Sequence, residues 1–262
     1  MRKDAKHVVM YSGGICSWMA AKRVADQHGT DNLILLYADT GIEDDDLYRF
    51  LEQGAENVGG QLVQIADGRT PWEVFRDVKF IGNTRADPCS RILKREICDQ
   101  WLVDNCNPDD TVVYVGMDWT EIERFTRMAP NKLPWVYKAP MMEPPYYTKQ
   151  QMIEVCRFEG IEPPRLYAMG FPHNNCGGFC VKAGRSQFKL LLEKLPDVYK
   201  EHEREEEKMR EYLGKDVSIL RDRRGGTLKP LTLANFRGMV EAEDVGQRDM
   251  FEWGGCSCFT ED

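Results

Sequence analysis

HVVMYSGGICSWMA, residues 7–20, is the stretch on which the reading of this chain turns. Val8 to Tyr11 read as a buried strand, and the strand runs straight into Ser12-Gly13-Gly14. Small and apolar residues at helical spacing follow at once. Glycine at such a junction permits φ > 0 and lets a ligand approach the backbone closely. The helix that opens there turns its N–H groups and the positive end of its dipole toward the same point. The hydroxyls of Ser12 and Ser17 add donors, so the junction reads as an anion site whose natural guest is phosphate. It contains neither G-x-x-x-x-G-K-[ST] nor G-x-G-x-x-G, which excludes a Walker loop and the dinucleotide fingerprint.

Outward from this stretch, strand and helix patterns alternate through the first 120 residues or so. HVVMYS, NLILLYAD, QLVQIAD and TVVYVGMD are short runs rich in Val, Ile, Leu and Tyr, separated by helical patterns over Ser17–His28, Asp45–Val58 and Ser90–Asn105. Such alternation predicts an α/β fold with a doubly wound, mainly parallel sheet covered on both faces. Ligands of such sheets sit beyond the carboxyl ends of the strands. From about residue 130 the texture changes: NKLPWVYKAPMMEPPYY carries four prolines in seventeen residues, an ordered but irregular connection. Helical patterns return over Thr148–Glu159 and from Ser186 onward, where KEHEREEEKMREYL reads as a solvated helix face. The expected division is a nucleotide-binding α/β core over 1–140 and a mostly helical, cysteine-bearing part over 141–262 packed on it.

The bulk numbers set bounds. Charged residues make up 30% of the 262 and hydrophobic ones 42%, and no apolar run is long enough for a membrane span. MRKDAKH has no apolar segment behind it, so a cytoplasmic location is expected. A net charge of −8 argues against a generally basic nucleic-acid surface, leaving RDRRGG at 221–226 as a local basic groove or a solvated loop. Nine cysteines, an odd count, do not suggest a disulfide framework. Cys98, Cys106 and Cys156 fall in helical patterns and read as packing or surface residues. Cys89, Cys176, Cys180, Cys256 and Cys258 are the candidates for chemistry, the last four as two pairs beside Gly-Gly. Two such pairs suit tetrahedral zinc or an iron–sulfur cluster. His173, three residues before Cys176, reads as a ligand or as an oriented polar group.

SGGICS resembles the SGGxxS signature of the PP-loop ATP pyrophosphatase superfamily, the adenine nucleotide α-hydrolase-like fold; many members have Asp where this chain has Cys16. Four further segments resemble the phosphoadenosine phosphosulfate (PAPS) reductase family: YADTGIEDDDLYRFL (37–51), PCSRILKRE (88–96), GMDWTEIERF (116–125) and GIEPPRLYAMGFPHNNCGGFC (160–180). The resemblance implies nucleotide contacts at Tyr11, Ser12, Gly13, Gly14, Ser17, Ala38, Asp39, Thr40 and Gly116. It gives catalytic roles to Ser12, Ser17, Arg91 and Lys94, the last two sharing a helix face to hold phosphate or sulfate. It also implies a [4Fe-4S] cluster, or zinc, on Cys89, Cys176, Cys180 and one of Cys256 and Cys258.

Three functions follow from the resemblance. One is adenylylation of an acceptor by ATP with Mg²⁺, releasing pyrophosphate for sulfur transfer. The acceptor would be a tRNA base, DNA or a small metabolite, with a sulfur-donor protein as partner. Another is thiol-dependent reduction of PAPS or adenylyl sulfate with Cys256 as nucleophile, although Gly-Gly-Cys256-Ser-Cys258-Phe departs from that group's Glu-Cys-Gly-x-His-like ending. The third is a non-catalytic nucleotide-binding subunit.

Overall fold

Val8, Val9 and Met10 are buried on both faces of β1 (Lys6–Met10), which places this strand at the centre of the sheet. In the computed structural model, which describes residues 5–223 and 226–242, β1 pairs in parallel with β2 (Leu33–Asp39) on one side and β4 (Thr111–Val115) on the other. β3 (Gln61–Ala66) joins β2 and β5 (Val136–Lys138) joins β4, again in parallel, giving the order β3-β2-β1-β4-β5. The doubly wound parallel sheet expected from the alternating pattern is therefore present. The chain winds outward from β1 through β2 to β3, then resumes at β4 on the opposite side. The winding direction changes between β1 and β4, where Met10 stands beside Val115.

Helices cover both faces. α1 (Ile15–His28) and α2 (Asp45–Val58) bury Ile15, Trp18, Val24, Phe50 and Leu51 against Val9, Leu33 and Leu35. On the other face Val8, Met10, Leu36 and Val113 meet Cys98 and Leu102 of the helix Ile97–Asn105. Local chemistry fixes the helix ends. Asp44 caps α2 by accepting from the Asp46 N–H at 3.0 Å, and α3 (Pro71–Val78) opens on a Thr70–Glu73 capping box. The helix Lys149–Phe158 packs on α1 and adds Met152 and Cys156 to the first core, so residues on both sides of position 140 share one apolar interior. A second core gathers Trp72 and Phe75 of α3 with Phe171, Phe179, Phe188, Tyr199 and Phe236. Among the described residues no helix is long and apolar enough to cross a membrane.

The charge run 200–213 lies in the helix Pro196–Leu213 and is not solvated on every side. Glu206 and His202 are buried on its inner face. Glu206 accepts the backbone N–H groups of Ile219 (2.9 Å) and Leu233 (2.6 Å), tying the small hairpin Leu220–Asp222/Lys229–Leu231 and the final helix Leu233–Glu241 to it. RDRRGG, in its described part, begins as the first of those hairpin strands, where Asp222 pairs with Arg185 at 3.2 Å. The His202 ring stacks 3.6 Å from Phe179, and its Nδ1 accepts from the Trp72 indole N–H at 3.0 Å. That bond requires a neutral ring with its proton on Nε2.

Burial holds His202 down at about 3, against an unfolded value near 6.5. Below pH 6.5 the unfolded chain therefore takes up a proton that the native ring refuses, and stability falls as pH drops toward 3. Glu206, which burial pushes up to about 7, acts with the opposite sign over part of the same range. His202→Gln isolates the histidine. In urea melts at pH 7 and pH 5, wild type should lose more stability on acidification than the variant does.

Candidate nucleotide site

A cavity of about 120 Å³ opens where the winding changes direction, beyond β1 and β4. Ser12, Cys16 and Ser17 from the junction, Gly116 and Arg124 from the segment after β4, and Lys149 line it. Gly13 has φ +73°, and a Cβ there would stand 2.9 Å from Leu47 Cγ. Gly14 is the extended N-cap of α1. Gly14 has no side chain to cap that terminus and no acidic residue lies in its first turn, so its electropositive end faces the cavity. Ser17 Oγ donates to the Gly14 carbonyl at 2.8 Å, and Ser12 Oγ donates to Ser17 Oγ at 3.3 Å.

Distant residues hold this loop. Asn174 Nδ2, itself buried, donates to the Gly13 carbonyl at 2.8 Å, and the Ile15 N–H donates to the Tyr167 hydroxyl at 3.1 Å. Lys149 donates to the Pro172 carbonyl and lies 5.8 Å from the Tyr167 ring centroid. Sequence reading missed Asn174, Tyr167 and Lys149 as loop residues, because nothing in their spacing ties them to a junction about 150 positions earlier. Gly116 has a steric role. A Cβ on it would fall 2.5 Å from Ser17 Cα and 2.6 Å from Ser17 N, so only glycine lets the β4 end approach α1. Burial, then Asp118 and Glu121, push the Cys16 thiol up, so it enters the cavity protonated and neutral.

Several expected contacts lie elsewhere. Tyr11 continues β1, its N–H donating to Leu36 O at 2.8 Å, and its side chain is fully buried in the first core. Ala38 packs in the apolar cluster on the other face of the sheet. Asp39 accepts from the Gly41 N–H (2.9 Å) and the Tyr48 hydroxyl (3.0 Å), which shapes the turn after β2. Thr40 is buried and donates to Glu43 at 2.9 Å. Arg91 and Lys94 do not act as a pair. Residues 91–96 are π-helical, and this wider turn brings Arg91 to Glu96, five positions on, at 2.6 Å on the surface. Lys94 points inward to the fully buried carboxylate of Glu43 at 3.2 Å.

Thr40, Cys89, Lys94, Cys176, Cys180 and Lys182 meet around a second, smaller cavity of about 30 Å³. Three of the five candidate cysteines thus converge from distant segments; Cys256 and Cys258 lie outside the described residues. Sharing a cavity wall is looser than ligation. Among the described residues no group of three or more His, Cys, Asp or Glu is gathered tightly enough to hold a metal ion. The expected cluster or zinc therefore has no ligand set there. Cys176 has φ +54°, uncommon for a side-chain-bearing residue, and Gly177 and Gly178 follow with φ +57° and +85°. A Cβ on Gly177 would sit 2.9 Å from the Ile42 carbonyl, so this turn presses on the chain just before α2.

No family model matches the chain, and no curated protein does. Among solved structures it is similar to the NH3-dependent NAD synthetase of Campylobacter jejuni subsp. jejuni NCTC 11168, at 14% identity over 82% of this chain and 89% of that one, with a TM-score of 0.43. A predicted subunit of tRNA methyltransferase from Methanocaldococcus jannaschii is 16% identical over 60% of this chain and 90% of that one, with a TM-score of 0.36. At these values the likeness carries no part of the functional argument.

The geometry separates two pairs of variants. Gly116→Ala should destabilise by about 1–3 kcal/mol through overpacking at α1, whereas Gly13→Val should combine strain at positive φ with a clash against Leu47, and a denaturant melt reads both. Lys94→Ala leaves a buried carboxylate unpaired and should cost roughly 3–5 kcal/mol in a denaturant melt, while Arg91→Ala should stay within about 0.5 kcal/mol.

Proposed function

We propose that the chain binds ATP or a related adenine nucleotide with its phosphates in the larger cavity, and that it adenylylates an acceptor with release of pyrophosphate. The observation that carries this reading is the N-terminus of α1, free of acidic residues in its first turn, which opens from Gly14 toward the cations Arg124 and Lys149 at the switch point of the sheet. In such a reaction an acceptor oxygen bonds to the α-phosphorus as the bond to pyrophosphate breaks. The protein's contribution is to place donors where charge grows, Arg124, Lys149 and the α1 N–H groups after Ile15, while the Ser12 and Ser17 hydroxyls brace the loop through Ser17 Oγ and the Gly14 carbonyl. A magnesium ion brought in with a nucleoside triphosphate would supply further positive charge beside Arg124 and Lys149. Cys16, held protonated, adds none.

The acceptor classes this reading admits are a tRNA base, DNA or a small metabolite, activated for sulfur delivered by a donor protein. A second reading, reduction of PAPS or adenylyl sulfate, is favoured by the three thiols gathered beside Lys94 and Lys182. No step of either reading is routed through a metal cluster.

Pyrophosphate release from ATP, measured with and without candidate acceptors, tests the first reading. Lys149→Ala should lower that rate by roughly a hundredfold, the scale for losing one preorganised donor to developing charge. Sulfite release from PAPS without pyrophosphate release from ATP would establish the reductase reading instead. Nucleotide binding with neither product would make the chain a binding subunit.

A further inference from the structure

His173 borders the same cavity as Ser12, Ser17, Arg124 and Lys149, from the segment that carries Asn174. Its neighbour Asn174 is fixed by the bond to Gly13 O, so the imidazole is carried on a segment anchored to the phosphate loop itself. The charged and titratable groups around the cavity come from every element that builds it: Cys16 on α1, Asp118, Glu121 and Arg124 after β4, Lys149 on its helix, and Tyr167. Asp118 caps Thr120, and Glu121 is paired with Arg124. Lys149 is turned to the Pro172 carbonyl, one residue before His173.

We propose that His173 is a proton-linked phosphate ligand: when a phosphate group enters between Lys149 and Arg124, the imidazole takes up one proton from solvent and donates a hydrogen bond to a phosphate oxygen as the imidazolium. The inference deepens the nucleotide reading and rests on it. Burial first, then Lys149 and Arg124, hold the ring down at about 4 before any anion arrives, so near neutral pH it is uncharged. An anion of two or more charges reverses the local balance. It cancels the field of the two cations and offers the protonated ring an acceptor, and both changes favour the charged form. The cavity thus holds two permanent cations, of which Arg124 is already paired with Glu121, and a third positive charge that forms with the ligand.

Proton uptake on ATP binding, measured by calorimetry at pH 6 in two buffers of different ionisation enthalpy, is the test. Wild type should take up close to one proton more than His173→Gln. The variant should bind ATP roughly tenfold more weakly at pH 6 and within about twofold of wild type at pH 8, since one pKa unit corresponds to a tenfold change in equilibrium constant. Sulfate, which does not titrate in this range, provides an arm that needs no variant: its affinity for wild type should fall as pH rises from 6 to 8. Equal proton uptake in wild type and variant, or a pH-independent sulfate affinity, overturns the proposal while leaving nucleotide binding intact. No ATP binding by wild type overturns the nucleotide reading and this inference together.

Discussion

One buried carboxylate holds the two cavities in their present relation. Glu43 follows the turn after β2, its side chain is fully enclosed, and it accepts from Thr40, from Lys94 and from the backbone N–H of Cys176. Those three donors belong to the end of a sheet strand, to the π-helical segment and to the CGG turn. A charge removed from water requires partners in good geometry, so each donor is fixed in position by the requirement to satisfy Glu43. Cys176 takes a left-handed conformation in making its contact. Backbone strain of this kind persists where the surroundings over-determine it.

The CGG turn has a second consequence, because the residues just before it belong to the other cavity. His173, Asn174 and Asn175 line the phosphate cavity and Cys176 lines the thiol cavity, so four consecutive residues span both. Asn174 anchors the segment at one end and Glu43 at the other. The two cavities are therefore walls of one structure, built where the C-terminal part of the chain returns to the sheet.

The sheet was legible from sequence because short apolar strands buried on both faces leave a strong pattern, and the Ser-Gly-Gly junction was legible because a strand, a flexible turn and a helix start are all local signals. Gly116 is expected from sequence as a nucleotide contact, whereas the steric role the structure gives it, the 2.5 Å that would separate a Cβ there from Ser17 Cα, is a tertiary fact. Arg91 and Lys94 misled because their spacing was read on an α-helix, and a π-helical turn redirects them. The charge run 200–213 hid two buried groups, His202 and Glu206, because their partners, Trp72, Phe179, Ile219 and Leu233, lie elsewhere in the chain. Tyr11 looked like a site residue because it adjoins the loop, yet strand alternation turns its side chain into the core.

The central position of β1 bears on how the protein is made. β1 leaves the ribosome before β2, which pairs with it after a short delay, but β4 begins only at Thr111. Until then the central strand of the sheet has one open edge, a template for pairing with other chains. The Ser12-Gly13-Gly14 junction is completed later still, since Asn174 and Tyr167 must be synthesised and docked before Gly13 and Ile15 have their partners. The junction thus precedes its partners by 161 positions at Gly13 and 152 at Ile15, so a nascent fragment bearing the whole junction sequence lacks the finished cavity.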